Sequence, residues 1–136
     1  MTDSNERYEM QIEIQQSDID ELGHVNNVVY LRWVQDVAVA HWRAAASPQA
    51  QEKYWWVVTR HEIDYKRPTF AHDDVVAVTW VGTASARSFE RHTELLRGSD
   101  RKLLAKARTL WCPIDSQTGR PTDVNDEVRE RFSSRG

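Results

Sequence analysis

The chain has 136 residues, 40% of them hydrophobic and 29% charged, and carries a net charge of −3. These values fit one soluble globular domain over residues 1–136 and exclude a disordered or collagenous chain. The longest apolar runs, such as 54–58, fall far short of the roughly 20 residues that span a bilayer, and the acidic balance gives no footprint for nucleic-acid binding.

Residues 1–7 are polar, without the apolar stretch of a secretion signal. The single cysteine, Cys112, rules out an internal disulfide framework and a cysteine-cluster metal site, and the expected location is a reducing cytoplasm. Residues 8–15 alternate strictly, with Tyr8, Met10, Ile12 and Ile14 on one face, which predicts a half-buried strand. A polar, turn-like stretch follows at 17–24, with Asn26 and Asn27 behind it. Residues 28–46 hold no Gly or Pro, and Tyr30, Val34, Val37, His41 and Ala44 fall at helical spacing. This predicts a helix about 27 Å long, capped by Asn26 or Asn27 and stopped by Pro48. Residues 54–66, rich in aromatic and β-branched side chains, read as a strand, and so do 75–83. Residues 88–97 and 101–113, joined at Gly98-Ser99-Asp100, read as a long hairpin. A short helix is expected at 126–132. The order is α+β: a five-stranded antiparallel sheet wrapped around one long helix, with an edge strand open to pairing in a dimer.

The stretch that carries chemistry is Asp18-Ile19-Asp20-Glu21-Leu22-Gly23-His24-Val25-Asn26-Asn27-Val28-Val29-Tyr30. It places carboxylates, an imidazole and two amides in the turn feeding a helix N-terminus. The first helical N–H groups have no partner within the helix, and the helix dipole adds partial positive charge there. Such a site stabilises an oxyanion forming on a carbonyl. A carboxylate beside it can attack that carbonyl or activate a water. The arrangement therefore suits acyl transfer to water.

The pattern Asp-x-Asp-x-x-Gly-His-Val-Asn-Asn-x-x-Tyr resembles the signature of the 4-hydroxybenzoyl-CoA-type thioesterases of the hotdog-fold superfamily. Acyl-carrier-protein thioesterases carry a similar His-Val-Asn-Asn stretch. The resemblance continues through Ile63-Asp64-Tyr65-Lys66-Arg67-Pro68, Asp73-Asp74-Val75-Val76, Arg87-Ser88-Phe89 and Asp115-Ser116-Gln117-Thr118-Gly119-Arg120-Pro121, so it spans about residues 8–132. It implies a hotdog fold and an acyl-CoA thioesterase. Asp20 matches the catalytic carboxylate, acting as nucleophile or general base. Asn27 sits where a helix N-terminal backbone N–H polarises the thioester carbonyl. From the residues alone, His24 orients Asp20, contacts substrate or, equally, hydrogen-bonds the loop in a structural role. Tyr30 and Val34 are expected near the acyl pocket, and Arg87 against the coenzyme A phosphates, joined by Arg91, Lys106 and Arg108 if they share a face. The family works as homodimers or homotetramers with sites at subunit interfaces. It uses no cofactor, coenzyme A being part of the substrate, and no metal. Hydrolysis of acyl-carrier-protein thioesters and non-catalytic acyl-CoA binding are the alternatives.

The remaining candidates read as structural. Asp18 is expected to order the turn, His41 and His61 to be core or strand residues, and Cys112 to be a buried thiol. There is no Gly-x-Ser-x-Gly, which disfavours an α/β-type serine hydrolase. Of the six tryptophans, Trp55, Trp56, Trp80 and Trp111 are expected at the sheet–helix interface or a dimer contact, one of them lining the acyl tunnel.

Overall fold

The computed structural model describes residues 6–132; residues 1–5 of the polar leader stretch lie outside the described residues. In chain order the elements are β1 (Tyr8–Ile12), a single 3-10 turn (Gln16–Asp18), α1 (Asn27–Ala45), α2 (Pro48–Lys53), β2 (Tyr54–Tyr65), β3 (Val75–Ala84), β4 (Phe89–Arg97), β5 (Leu103–Asp115) and α3 (Asp126–Phe132). The strands form one antiparallel sheet in the order β1-β3-β4-β5-β2, with α1 packed along it, as expected for the hotdog arrangement.

Alternation decides what faces the helix. On β4, Phe89, Arg91, Thr93 and Leu95 point inward and are buried; on β3, Val75, Ala77, Thr79 and Val81 do the same. On α1 the buried stripe is Tyr30, Trp33, Val34, Val37, Ala38 and His41, the i, i+3, i+4, i+7 pattern of a helix lying on a sheet. Two apolar clusters result. One surrounds Val29, Val37, Leu95 and Leu104 at the start of α1; the other gathers Tyr54, Phe89, Val128 and Phe132 at its far end. Between them runs a buried polar band of Thr79, Thr93, Thr109, Arg91 and His41.

Three features depart from the sequence expectation. β1 ends at Ile12 rather than at residue 15, because the Gln15 N–H donates to Asp18 Oδ2 (2.9 Å) and closes a turn. Pro48 does not only stop α1 but opens α2 at its first position, where its missing N–H is harmless, under a Ser47 side-chain cap on the Ala50 N–H (3.1 Å). β2 carries a bulge between Val58 and Arg60. The extra residue, Thr59, lets Tyr54 and Trp56 share the inner face with His61 and Ile63, which strict period-2 alternation forbids. No helix among the described residues is long and apolar enough to cross a membrane.

Candidate active site

Asp20 opens a tight loop: its N–H donates to the His24 carbonyl (2.8 Å) and its carbonyl accepts from the Gly23 N–H (3.0 Å). Gly23 has φ +81, the left-handed region a side chain disfavours. Asp20 Oδ1 accepts from the Leu22 N–H (3.0 Å) and the His24 N–H (3.2 Å). The carboxylate is thus held by the backbone of its own turn, with Oδ2 uncommitted among the described residues.

Asp18, two residues earlier, does the opposite work. It is 1% exposed, and both its oxygens meet Arg32 Nη2 of α1, at 3.0 and 3.1 Å. Its backbone carbonyl accepts from the Asn26 N–H (2.9 Å). Asp18 therefore orders the turn, as expected, through the Gln15 N–H, and also ties the loop to the helix.

Asn26 is the helix cap, its side chain accepting from the Val28 N–H (3.1 Å). Asn27 is the first helical residue, and its N–H has no acceptor among the described residues. One donor at the positive end of a 19-residue helix is left pointing out of the helix.

The opposite wall is the segment after β2. The Tyr65 hydroxyl donates to the Asn27 carbonyl (3.2 Å). The Lys66 and Arg67 N–H groups both donate to the Leu104 carbonyl (2.8 and 3.0 Å), and Arg67 Nη1 reaches the Leu103 carbonyl (2.7 Å). The Val25 N–H donates to the Thr69 carbonyl (2.8 Å), joining the two walls. The Tyr30 hydroxyl donates to the Arg67 carbonyl (3.1 Å) and so accepts from the Thr69 hydroxyl (2.7 Å). Burial pushes this phenol above its ordinary pKa, so it stays neutral. The walls enclose an open cleft of about 470 Å³ bordered by Asp20, His24, Asn27, Tyr30, Lys66 and Arg67.

Four predicted residues, Asp20, His24, Asn27 and Tyr30, thus converge on one cleft. Two do not. Val34 is 1% exposed inside the apolar cluster, one turn beyond Tyr30 and rotated onto the sheet. Arg87 lies beyond β3 at the other end of the sheet, its Nε donating to Asp123 Oδ1 (2.6 Å). The wider basic patch does not assemble within the chain. Arg91 faces the helix, while Lys106 and Arg108 face the opposite side of the sheet, where Arg108 pairs with Glu90 and Glu62. Tyr65, Lys66, Arg67 and Thr69 border or brace the cleft and do not stand out in the sequence as site residues. Their signal is the Tyr-Lys-Arg-Pro run that ends β2, where a strand must turn away and expose its last side chains.

Comparison with known proteins agrees with this fold. A thioesterase from Thermus thermophilus, solved in complex with coenzyme A and Zn, superposes with a TM-score of 0.79 at 25% identity over 91% of this chain and 90% of that one. A 1,4-dihydroxy-2-naphthoyl-CoA thioesterase from Synechocystis superposes with a TM-score of 0.80 over 93% of this chain and 96% of that one; at 17% identity this supports the fold alone. In sequence, a chloroplastic palmitoyl-acyl carrier protein thioesterase from Gossypium hirsutum is 30% identical over 107 residues, 71% of this chain and 25% of that protein. A chloroplastic acyl-[acyl-carrier-protein] hydrolase from Cuphea viscosissima is 28% identical over 78 residues, 57% of this chain and 19% of that protein. The chain thus spans a quarter or less of the length of these two curated relatives. Residues 14–132, nearly all of the described fold with its cleft, match the thioesterase-like superfamily, and the chain belongs to that superfamily.

Proposed function

We propose that the chain hydrolyses an acyl-CoA thioester to a free acid and coenzyme A. The observation that carries this reading is the pairing, in one cleft, of a carboxylate with one free oxygen, Asp20 Oδ2, and the unbonded Asn27 N–H at the start of α1. The thioester carbonyl oxygen faces Asn27 N–H, and the carbonyl carbon faces Asp20. Asp20 Oδ2 either takes the proton of an attacking water or attacks the carbon itself, giving an anhydride that water then opens. In both routes negative charge grows on the carbonyl oxygen against the helix dipole. The C–S bond then breaks and the thiolate leaves; a thiol with an ordinary pKa of about 8.5 departs without an acid to protonate it. Oxygen-18 incorporation into Asp20 during one turnover in labelled water separates the two routes.

His24 supports this role through its backbone, which holds Asp20, while its ring packs edge-on against Phe70. Lys66 and Arg67 put positive charge on the rim, suited to the phosphates of coenzyme A. Arg87 meets those phosphates only from a second copy, since its own cleft is at the other end of the sheet. A homodimer fits that requirement, and Leu22 (78% exposed), Val28 and Tyr65 beside the cleft, with Trp55 and Val57 on edge strand β2, supply apolar surface for it. The protein is read as cytoplasmic, with no cofactor beyond the substrate.

A second reading, hydrolysis of acyl-carrier-protein thioesters, is favoured by the two chloroplastic relatives. The test is thiol release from matched acyl-CoA and acyl-carrier-protein substrates, with wild type and Asp20→Ala in parallel. A loss of about a hundredfold or more in kcat/KM on acyl-CoA, about 2.7 kcal/mol of barrier, supports the reading. Equal rates in both proteins remove Asp20 from the chemistry. Activity on the carrier-protein substrate alone replaces the first reading with the second.

A further inference from the structure

Away from the cleft, under the fourth turn of α1, lies a small pocket walled by Val39, Trp42, Trp56, Phe89, Trp111 and Arg91. Its polar chemistry is one-sided. Arg91 is 5% exposed, and its Nη1 donates to His41 Nδ1 (2.9 Å) and Thr79 Oγ1 (3.2 Å). No carboxylate among the described residues bonds it, and its Nε and Nη2 are unused there. The indole N–H groups of Trp56 and Trp111 are also buried without a partner among the described residues. No lining side chain offers an acceptor. A buried guanidinium answered only by neutral groups is unfavourable unless something completes it. Burial lowers the Arg91 pKa only to about 10, so the group is cationic at neutral pH.

We propose that this pocket receives the carboxylate of a small apolar acid, with Arg91 as its anion receptor and the tryptophans around the head group. Size supports a head group rather than a whole chain: the cavity is about 40 Å³, room for about three water-sized atoms, which is the size of a carboxylate. Charge supports it too, since a planar guanidinium with two free donors matches two carboxylate oxygens. The acid is a free carboxylic acid: Asn27, where the thioester carbonyl is placed, lies about 17 Å along α1 from Ala38 over this pocket, farther than a short acyl tail reaches.

Three tryptophans in the wall make binding visible as a change in intrinsic fluorescence. The first experiment titrates the full chain with hexanoate and with hexanamide, its neutral counterpart. Hexanoate binding at least about tenfold tighter, with the preference abolished in Arg91→Met, is the expected result. Equal response to the two ligands in wild type, or an acid preference that survives Arg91→Met, overturns the proposal. The wild-type comparison needs no variant, and Met fills the space of the guanidinium stem without leaving a charge, so folding of the variant is checked but not relied on. The second experiment compares kcat/KM for hexanoyl-CoA in wild type and Arg91→Met. Equal values are expected; a loss of about tenfold or more places Arg91 in the thioester site and overturns a separate pocket. Absence of any thiol release with hexanoate selectivity intact overturns the thioesterase reading and leaves the pocket standing.

Discussion

Arg91 Nη1 lies 2.9 Å from His41 Nδ1 in the polar band beneath α1. A guanidinium only donates, so His41 Nδ1 accepts, and the ring carries its proton on Nε2, which faces Glu6 Oε1 at 3.5 Å. Burial, and then the Arg91 charge, push the His41 pKa down to about 4, against the opposing pull of Glu6. The other neighbours are Arg131, which bonds Glu6, and the rings of Tyr8 and Phe132. The folded chain therefore keeps His41 neutral at a pH where the unfolded chain, at the ordinary 6.5, has protonated it. Between those values unfolding takes up a proton, so stability is full above about pH 6.5 and falls as pH drops toward 4. Urea midpoints measured across this window should decline on acidification in wild type. In His41→Asn, whose Oδ1 takes the place of Nδ1 and still accepts from Arg91, that part of the decline should vanish; an unchanged slope would mean His41 does not carry it.

Tyr30 braces the cleft from inside the core. It is 2% exposed, and its hydroxyl is the hub between Thr69 Oγ1 and the Arg67 carbonyl. Tyr30→Phe keeps the ring, which stacks on Trp33, and removes only the hydroxyl. Thr69, 0% exposed, is left without this partner. Stability should fall by about 1–2 kcal/mol. Because segment 65–68 forms one wall of the cleft, kcat/KM should fall with it while the buried core stays intact by near-ultraviolet circular dichroism.

Gly23 tests the loop without touching any side chain. A Cβ there meets nothing within 4 Å, so packing is not at issue. The strain is in the backbone, whose φ of +81 disfavours a side chain. Gly23→Ala should lose about 1 kcal/mol of stability. It should also lower turnover by slackening the hydrogen bonds that the Leu22 and His24 N–H groups give Asp20. Gly23→Asn, which tolerates this conformation better, should recover part of both.

Much of this molecule is legible in period and spacing. The alternation of Tyr8, Met10 and Ile12, the stripe from Tyr30 to His41 and the hairpin at Gly98 all reappear where local pattern places them, because each is set by burial on one face. The convergence of Asp20, His24, Asn27 and Tyr30 is legible because they are neighbours in sequence around one turn. The position of Arg87 relative to them is not, since strand order decides which end of the sheet a loop occupies and no periodicity reports it. Arg91 reads by its charge as a surface cation, although its parity with Phe89 and Leu95 already puts it on the inner face. In that reading charge outweighs alternation, and alternation is the better guide. The bulge at Thr59 and the brace from Tyr30 to Thr69 depend on long-range pairing and leave no local mark.

Two aspartates two residues apart should fail in opposite ways. Asp18 is buried and paired with Arg32 while it holds the Gln15 N–H; Asp20 is part-exposed at the cleft, with one oxygen in the turn and one free. Asn at either position keeps the size and one acceptor oxygen but removes the charge. At Asp18 this leaves the Arg32 end of the pair unanswered and puts an amide N–H₂ in a buried site built for acceptors, a loss of about 1–3 kcal/mol. At Asp20 the turn keeps an acceptor, so stability should change by less than about 0.5 kcal/mol, while kcat drops by about a hundredfold or more because an amide neither takes a proton nor attacks a carbonyl. Measuring denaturation midpoints and thiol release on both variants crosses the two effects. If Asp18→Asn abolishes turnover at full stability and Asp20→Asn does not, the catalytic carboxylate has been assigned to the wrong member of the pair.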